Sequence, residues 1–358
     1  MTKPTILVVL AVLVVGLLVP TACAPSTSGG EGGEGGGAAT KAEYEWQYGS
    51  FATVGSPAER TSETFCALLN GLSNGRIHVS YNPSAVLGGS EENFDAISTG
   101  SLSFGEISPY SGFSMLQNIK GIPYAGSTWE DYDALFYGDG IVNEIIKDSW
   151  AANGMVSLFN TEVGPLCYCN SKKPLVTPDD FAGLKFRIPP SDVYVKSFQR
   201  MCPKGIGEAI AWSEVFTSLE RGVIDGSTMY MGFYVAQFWE VSKYFTTVNQ
   251  AYIFDCACMN KELFDSLPND LQTLVMECAS RAEDYGRFVS RKEYNESIEI
   301  CRDRGCTVTV LTPEQIQPFV DNLKPQELWE ELYVDMLEEY YPGENMYDQV
   351  IAAVEAVS

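Results

Sequence analysis

The chain has 358 residues, 45% of them hydrophobic, with 23 lysines and arginines against 47 aspartates and glutamates and a formal net charge of −24. That acid excess argues against a nucleic-acid partner. It also repels anionic ligands at long range, so an anion site must be a local, desolvated pocket with its own arginine.

The first residues form an export signal, expected over 1–22: Lys3 supplies a positive start, Ile6 to Val19 is apolar, and small residues precede Cys23. The apolar run is too short and badly flanked for a stable membrane span. VPTAC is similar to a bacterial lipobox, with Ala22 before Cys23 but Pro20 where Leu or Val is usual, so a diacylglycerol on Cys23 is expected. Ordinary cleavage or an uncleaved anchor are the alternatives. Ser26 to Thr40 is rich in Gly, Ser and Glu, and 23–42 is expected to be a lipid-anchored tether.

The remaining three hundred or so residues suit two lobes. YEWQYGS predicts a strand, and Ser56, Pro57 and Glu59 stand at N-cap, N1 and N3 of a helix. Asn74-Gly75 ends that helix region and RIHVSY is the next strand. Ser90 opens a second helix closed by Gly100. This β-α-β-α rhythm predicts a mostly parallel sheet with helices on its faces. Thr177-Pro178-x-Asp180 and Thr312-Pro313-x-Gln315 repeat the capping pattern, while Ser213 is expected to cap SEVFTSLER, ended by Gly222. Pro268 to Arg304 has no proline after its first turn and predicts one helix of roughly 50 Å. QELWEELYVDMLEEYY predicts a helix with solvated acidic faces around a Leu/Tyr stripe.

A basic residue interrupts the apolar strand LKFRI. Leu184, Phe186 and Ile188 face one way, Lys185 and Arg187 the other. A planar, permanently charged fork suits bidentate capture of a carboxylate, whereas a solvated basic face is the plainer alternative. Catalytic motifs are nearly absent. The only histidine, His78, falls on the polar side of RIHVSY, and no G-x-S-x-G elbow, phosphate loop, H-E-x-x-H or calcium loop accompanies it. Ten cysteines include Cys167/Cys169 and Cys256/Cys258, C-x-C pairs within strands whose geometry disfavours an internal bond. Zinc knuckles use C-x-x-C instead, so buried reduced thiols and no metal are expected.

Four segments in order carry a resemblance: NGRIHVSYNPSAVLGGSEENFDAISTG (Asn74 to Gly100), TPDD-x-x-GLK-x-R-I-P, SEV-x-x-x-L-x-x-GVIDG and KELFDSLPNDLQTLVMECA (Lys261 to Ala279). Together they resemble the extracytoplasmic solute-binding proteins of TRAP (tripartite ATP-independent periplasmic) transporters over roughly Tyr44 to Leu311. The resemblance implies a two-lobed, periplasmic-binding-protein-like α/β fold with mixed sheets, hinge strands and a long helix spanning both lobes. It places lobe 1 at 43–164 with approximately 247–278, lobe 2 at 165–246 with approximately 279–325, and C-terminal helices in 326–358 packing on the lobes.

It also implies a non-enzymatic, monomeric receptor, without cofactor, that closes on a small organic acid between the lobes and presents it to TRAP permease subunits in the membrane. Arg187 is the implied carboxylate clamp, with Lys185 nearer the rim. Tyr230, Met229, Trp212 and Tyr110 are candidate ligand contacts, Trp212 more a packing residue and Tyr110 equally a surface-loop residue; Asp225-Gly226 is expected to be a turn. The chain departs from the family in two places. EVGPLCYCNS lacks the second basic group common before the clamp, which weakens a dicarboxylate reading. Ser227, Thr228, Met229 and Tyr230 follow GVIDG in place of the Asn, Gln or Glu of several members, removing an obvious metal-binding carboxylate. The rival readings are a lipoprotein serving another transporter or a sensor kinase, a structural surface lipoprotein, and an exported hydrolase. Unchanged ligand after incubation separates a receptor from a hydrolase, and neighbouring permease genes favour the TRAP assignment.

Overall fold

The computed structural model describes residues 41–108 and 115–357; Cys23, the tether up to Thr40 and Tyr110 lie outside them. Eleven strands are present among the described residues: β1 (Tyr44–Gly49), β2 (Ile77–Asn82), β3 (Phe104–Ile107), β4 (Met155–Pro165), β5 (Cys167–Asn170), β6 (Lys185–Ile188), β7 (Ile206–Ala209), β8 (Gly226–Met229), β9 (Tyr244–Thr247), β10 (Tyr252–Asn260) and β11 (Thr307–Val310). They form one sheet ordered β2-β1-β3-β10-β4 and another ordered β11-β9-β5-β8-β6-β7. The protein is a two-lobed α/β fold, as its resemblance implied.

Both sheets are mixed, with parallel pairs β1–β2, β1–β3, β9–β11, β6–β7 and β6–β8 beside antiparallel ones, which corrects the expectation of a mostly parallel sheet from the βαβα rhythm. β10 runs antiparallel to β3 and β4, and β5 antiparallel to β8 and β9. The cause is topological. The chain passes from the first sheet to the second through β4 and β5, then returns through β9 and β10, so the outward and returning strands lie side by side in opposite directions. The crossings are tied by hydrogen bonds from Leu166 N to Ala251 O (2.7 Å) and from Gln250 N to Leu166 O (3.1 Å). Gly164, at φ 102°, turns the outward crossing in a conformation that a side chain would strain.

The local signals explain most helix starts. Ser56 Oγ accepts from Glu59 N (3.2 Å) at the head of the helix Pro57–Leu72. Thr312 and Gln315 exchange side-chain to backbone bonds at the head of Pro313–Leu323. The Thr177 pattern starts only the 3-10 turn Pro178–Phe181. Ser213 is not a helix cap: Trp212–Glu214 forms a 3-10 turn of its own, and the helix Val215–Glu220 begins after it. A bulky tryptophan and an acidic residue flank that serine, and the chain winds one tight turn before widening.

The predicted long helix runs from Asn269 to Asp303, 35 residues, or about 52 Å at ~1.5 Å per residue. Its first half buries Leu271, Val275, Cys278 and Ala279 in a cluster with Phe65, Leu69 and Phe104 of the first sheet's layer. Its far end leads into β11 of the second sheet. In the second lobe, Phe186 packs 5.0 Å from Phe181 and 5.8 Å from Phe198, ring centre to ring centre; each such buried ring contributes about 1.5–3 kcal/mol. Gly226 sits where a Cβ would lie 2.5 Å from the Cys169 carbonyl, so only glycine lets β5 and β8 close at that point.

An ionic clasp braces the outward crossing. Glu162, two residues before Gly164, accepts from Arg291 Nη2 on the long helix (2.8 Å). Arg291 also donates to Asp133 (2.8 Å from Nη1), which meets Arg287 at 2.6 Å. The Arg291 guanidinium lies 5.0 Å from the Trp129 ring centre.

Candidate ligand-binding site

Strand β6 lies between β7 and β8, so the fold covers Arg187 on every side and leaves it 4% exposed. Its Nε donates to the Ile210 carbonyl (2.8 Å) and its Nη1 to Thr228 Oγ1 (3.3 Å). Nη2 has no hydrogen-bond partner among the described residues, and none of them supplies a carboxylate to the guanidinium. Desolvation, only partly offset by Tyr230 and Tyr194, pushes the group down to about 10. A buried cation without a counter-anion costs free energy, and this one has neutral partners only.

Aromatic rings surround it. The guanidinium carbon lies 5.5 Å from the centre of the Trp212 ring, which packs on Tyr230, Phe233 and Phe238 at 5.1 to 6.5 Å. Thr228 and Tyr230 are two residues apart and share a face; Met229, fully buried, falls on the other by strand alternation. The structure therefore gathers Arg187, Trp212 and Tyr230 and sets Met229 apart. Lys185 is exposed, at the strand's outer end. Asp225 accepts the Lys185 amide (2.9 Å) and holds the turn.

The residues after Arg187 bring the second lobe against the first. Ser191 Oγ donates to Asn118 Oδ1 (2.8 Å), and a Cβ on Gly121 would lie 2.9 Å from the Tyr194 hydroxyl. Between them in sequence is Lys120, wholly buried, which donates to the Phe254 carbonyl and stands 3.5 Å from Asp255 Oδ1. Nearby on β3, Glu106 is fully buried and accepts from Ser50 Oγ (2.5 Å) and Thr161 Oγ1 (2.8 Å). Tyr194 and Tyr230 both lie within electrostatic reach of Arg187 and of Asp255. Sequence reasoning missed this cluster. The signal was there: FGEI and IFDCAC each place one acid in an apolar strand, as LKFRI places its arginine.

Burial, and then the neighbouring Asp255, hold the Glu106 carboxyl up to about 8. Burial likewise raises Asp255 and lowers Lys120. A glutamate in the unfolded chain titrates near 4.5, so between these values the folded protein holds the extra proton. Stability from this group is complete below about 4.5 and is lost as pH rises to about 8. Raising the pH from 5 to 8 should cost the wild type up to about 4 kcal/mol relative to Glu106→Gln at ~1.36 kcal/mol per decade. Parallel denaturant melts of the two proteins check it; an equal pH slope in both overturns it.

All nine cysteines among the described residues are free and buried. No group of three or more His, Cys, Asp or Glu among those residues is placed to hold a metal, and no described helix is long and apolar enough to cross a membrane. His78 is exposed on β2.

The model of the family described as "Bacterial extracellular solute-binding protein, family 7" (DctP) matches residues 48–335. The chain belongs to this family. DctP-family members are substrate-binding receptors of extracytoplasmic space, and several relatives resemble this chain over most of its length. The C4-dicarboxylate-binding periplasmic protein DctP of Rhodobacter capsulatus is 25% identical over 311 residues, 85% of this chain and 87% of that protein. The 2,3-diketo-L-gulonate-binding periplasmic protein YiaO of Escherichia coli is 26% identical over 270 residues, 74% of this chain and 80% of that one. Among solved structures, a TRAP periplasmic solute binding protein from Ralstonia eutropha, with bound (S)-2-acetolactate, superposes with a TM-score of 0.77 at 20% identity, covering 87% of this chain and 99% of that chain. This DctP-family protein thus shares the fold of the TRAP receptors.

Proposed function

We propose that this protein is an extracytoplasmic receptor that binds a small organic acid between its lobes and delivers it to a TRAP-type permease. The observation that carries this is Arg187: a permanent cation, buried among Trp212, Tyr230 and Thr228, with an unused Nη2 and no acidic partner among the described residues. Such a fork suits a carboxylate, which would repay the guanidinium's desolvation with charge-assisted bonds. The relatives named for binding a C4-dicarboxylate or a sugar-derived acid, and the solved structure with an acetolactate, support that ligand class. Binding without turnover fits the exposed, solitary His78. Closure of the lobes about the paired crossings β4–β5 and β9–β10 is the motion that engages the ligand, driven by its higher affinity for the closed state.

A thermal-shift screen against an organic-acid library tests the reading. A true ligand at a hundredfold excess over Kd stabilises the protein by about 2.7 kcal/mol. Stabilisation by neutral sugars or amines in place of every carboxylate overturns it. Lipid attachment at Cys23 belongs to the same reading, since a tethered receptor stays near its permease. Mass spectrometry of the mature protein should find a diacylated Cys23 at the N-terminus; an unmodified N-terminus beyond it removes the anchor.

A further inference from the structure

We propose that Cys301 and Cys306, both thiols in this structure, are a disulfide-forming pair that staples the turn ending the long helix. The helix Asn269–Asp303 closes with the two hydrogen bonds of a Schellman turn: Gly305 N donates to Arg302 O (2.9 Å) and Cys306 N to Cys301 O (2.9 Å). Gly305, at φ 79°, supplies the left-handed residue that this turn requires. The two residues joined by the longer of these bonds commonly touch through their side chains, and here both are cysteines. Standard bond lengths and the 2.9 Å hydrogen bond hold their Cα atoms within about 6.8 Å of each other. A disulfide spans roughly 4.4–6.8 Å between Cα atoms.

Burial gives the same orientation. Cys301 and Cys306 are 0% and 6% exposed, whereas Arg302 to Gly305 between them are exposed, so both side chains turn inward from one turn. The Cys301 thiol also lies within electrostatic reach of Cys306. Cys167/Cys169 and Cys256/Cys258, by contrast, are i and i+2 neighbours within strands, a geometry that disfavours a bond. Family membership places the protein outside the cytoplasm, where disulfides form and persist. The oxidant is a second disulfide, small-molecule or protein. One cysteine thiolate attacks it and expels a thiol; the other attacks the protein sulfur of the mixed disulfide and expels the second thiol. The cysteines lose two protons and two electrons, and the reactant gains them as two thiols. Burial pushes Cys301 up to about 12, so in the folded protein the attack waits for the helix end to open, and the bond forms most readily as the chain folds.

Refolding of the reduced protein in a buffer of reduced and oxidised glutathione, then maleimide trapping in denaturant and tryptic mass spectrometry, tests this. Trypsin cuts after Arg302 and Arg304, so the two cysteines fall on separate peptides unless a disulfide joins them. The joined species, two hydrogens lighter than its parts, should account for most of the protein and should form ahead of any other cysteine pair. It should vanish on treatment with a reducing agent. Cys301→Ser should leave Cys306 joined to no other peptide in a variant with wild-type circular dichroism. Cys301 and Cys306 trapped separately in most wild-type molecules, or either one joined to a different cysteine, overturns the pairing.

Discussion

Arg187→Ala should weaken carboxylate binding by about 2–5 kcal/mol, roughly thirty- to several-thousand-fold in Kd, without loss of fold. The side chain is nearly inaccessible, and its desolvation to about 10 corresponds to about 3 kcal/mol at neutral pH. An anion on Nη2 offsets that cost; without the guanidinium the anion is buried alone. The empty protein responds in the opposite sense. Truncation removes a strained charge and surrenders two hydrogen bonds to neutral oxygens, so its stability should stay within about 1 kcal/mol of wild type. Arg187→Lys should recover only part of the affinity, because an ammonium cannot make the forked contact. Calorimetry with the acid found by screening, beside denaturant melts of each variant, reads both quantities. Near wild-type affinity in a folded Arg187→Ala protein places the clamp elsewhere.

Arg291→Ala should be the most destabilising single change at the crossing. Glu162 is 5% exposed in its side chain and depends on Arg291 for its charge partner. Removing one member of a buried pair costs about 3–5 kcal/mol, and the 22% exposure of Arg291 places the expected loss near the lower end. The pH dependence identifies the cause. Burial already raises Glu162 in the wild type against the pull of Arg291; without that pull it rises further, so the folded variant holds a proton that the unfolded chain has lost. The deficit should therefore be small near pH 4.5 and grow as pH rises toward 8. Glu162→Gln in the same background should restore most of the loss at pH 8. Melts of the single and double variants at pH 5 and pH 8 check this, and a deficit independent of pH assigns it to packing instead.

The sequence shows Arg187 because cations are scarce in this chain and one among Leu184, Phe186 and Ile188 is conspicuous. Glu106 and Asp255 sit in strands of the same form, yet 47 acidic residues hide any one of them. What marks them is three-dimensional: Ser50, Thr161 and Lys120 reach them from segments 55 to 135 residues away, from the end of β1, from β4 and from the 3-10 turn Met115–Gly121. Capping chemistry is local, so Ser56 and Thr312 are legible from four residues each. Ser213 looks like a helix cap in sequence because a 3-10 turn and an α-helix share the same first-turn signals. The direction of β5 and β10 depends on where the chain crosses between lobes, which hydrophobic periodicity does not encode.

The nine buried thiols give the protein a set of internal clocks. Burial pushes Cys167, Cys169, Cys256 and Cys301 up to about 12, so at neutral pH each reacts with a thiol reagent only when its surroundings open. Cys66 and Cys278 report on the packing of the helices over the first sheet, Cys256 and Cys258 on the returning crossing, and Cys301 and Cys306 on the far end of the long helix. Labelling followed by peptide mass spectrometry then measures local opening region by region, with no engineered probe. A ligand that closes the lobes should slow the clocks at the crossing more than those beneath the helices.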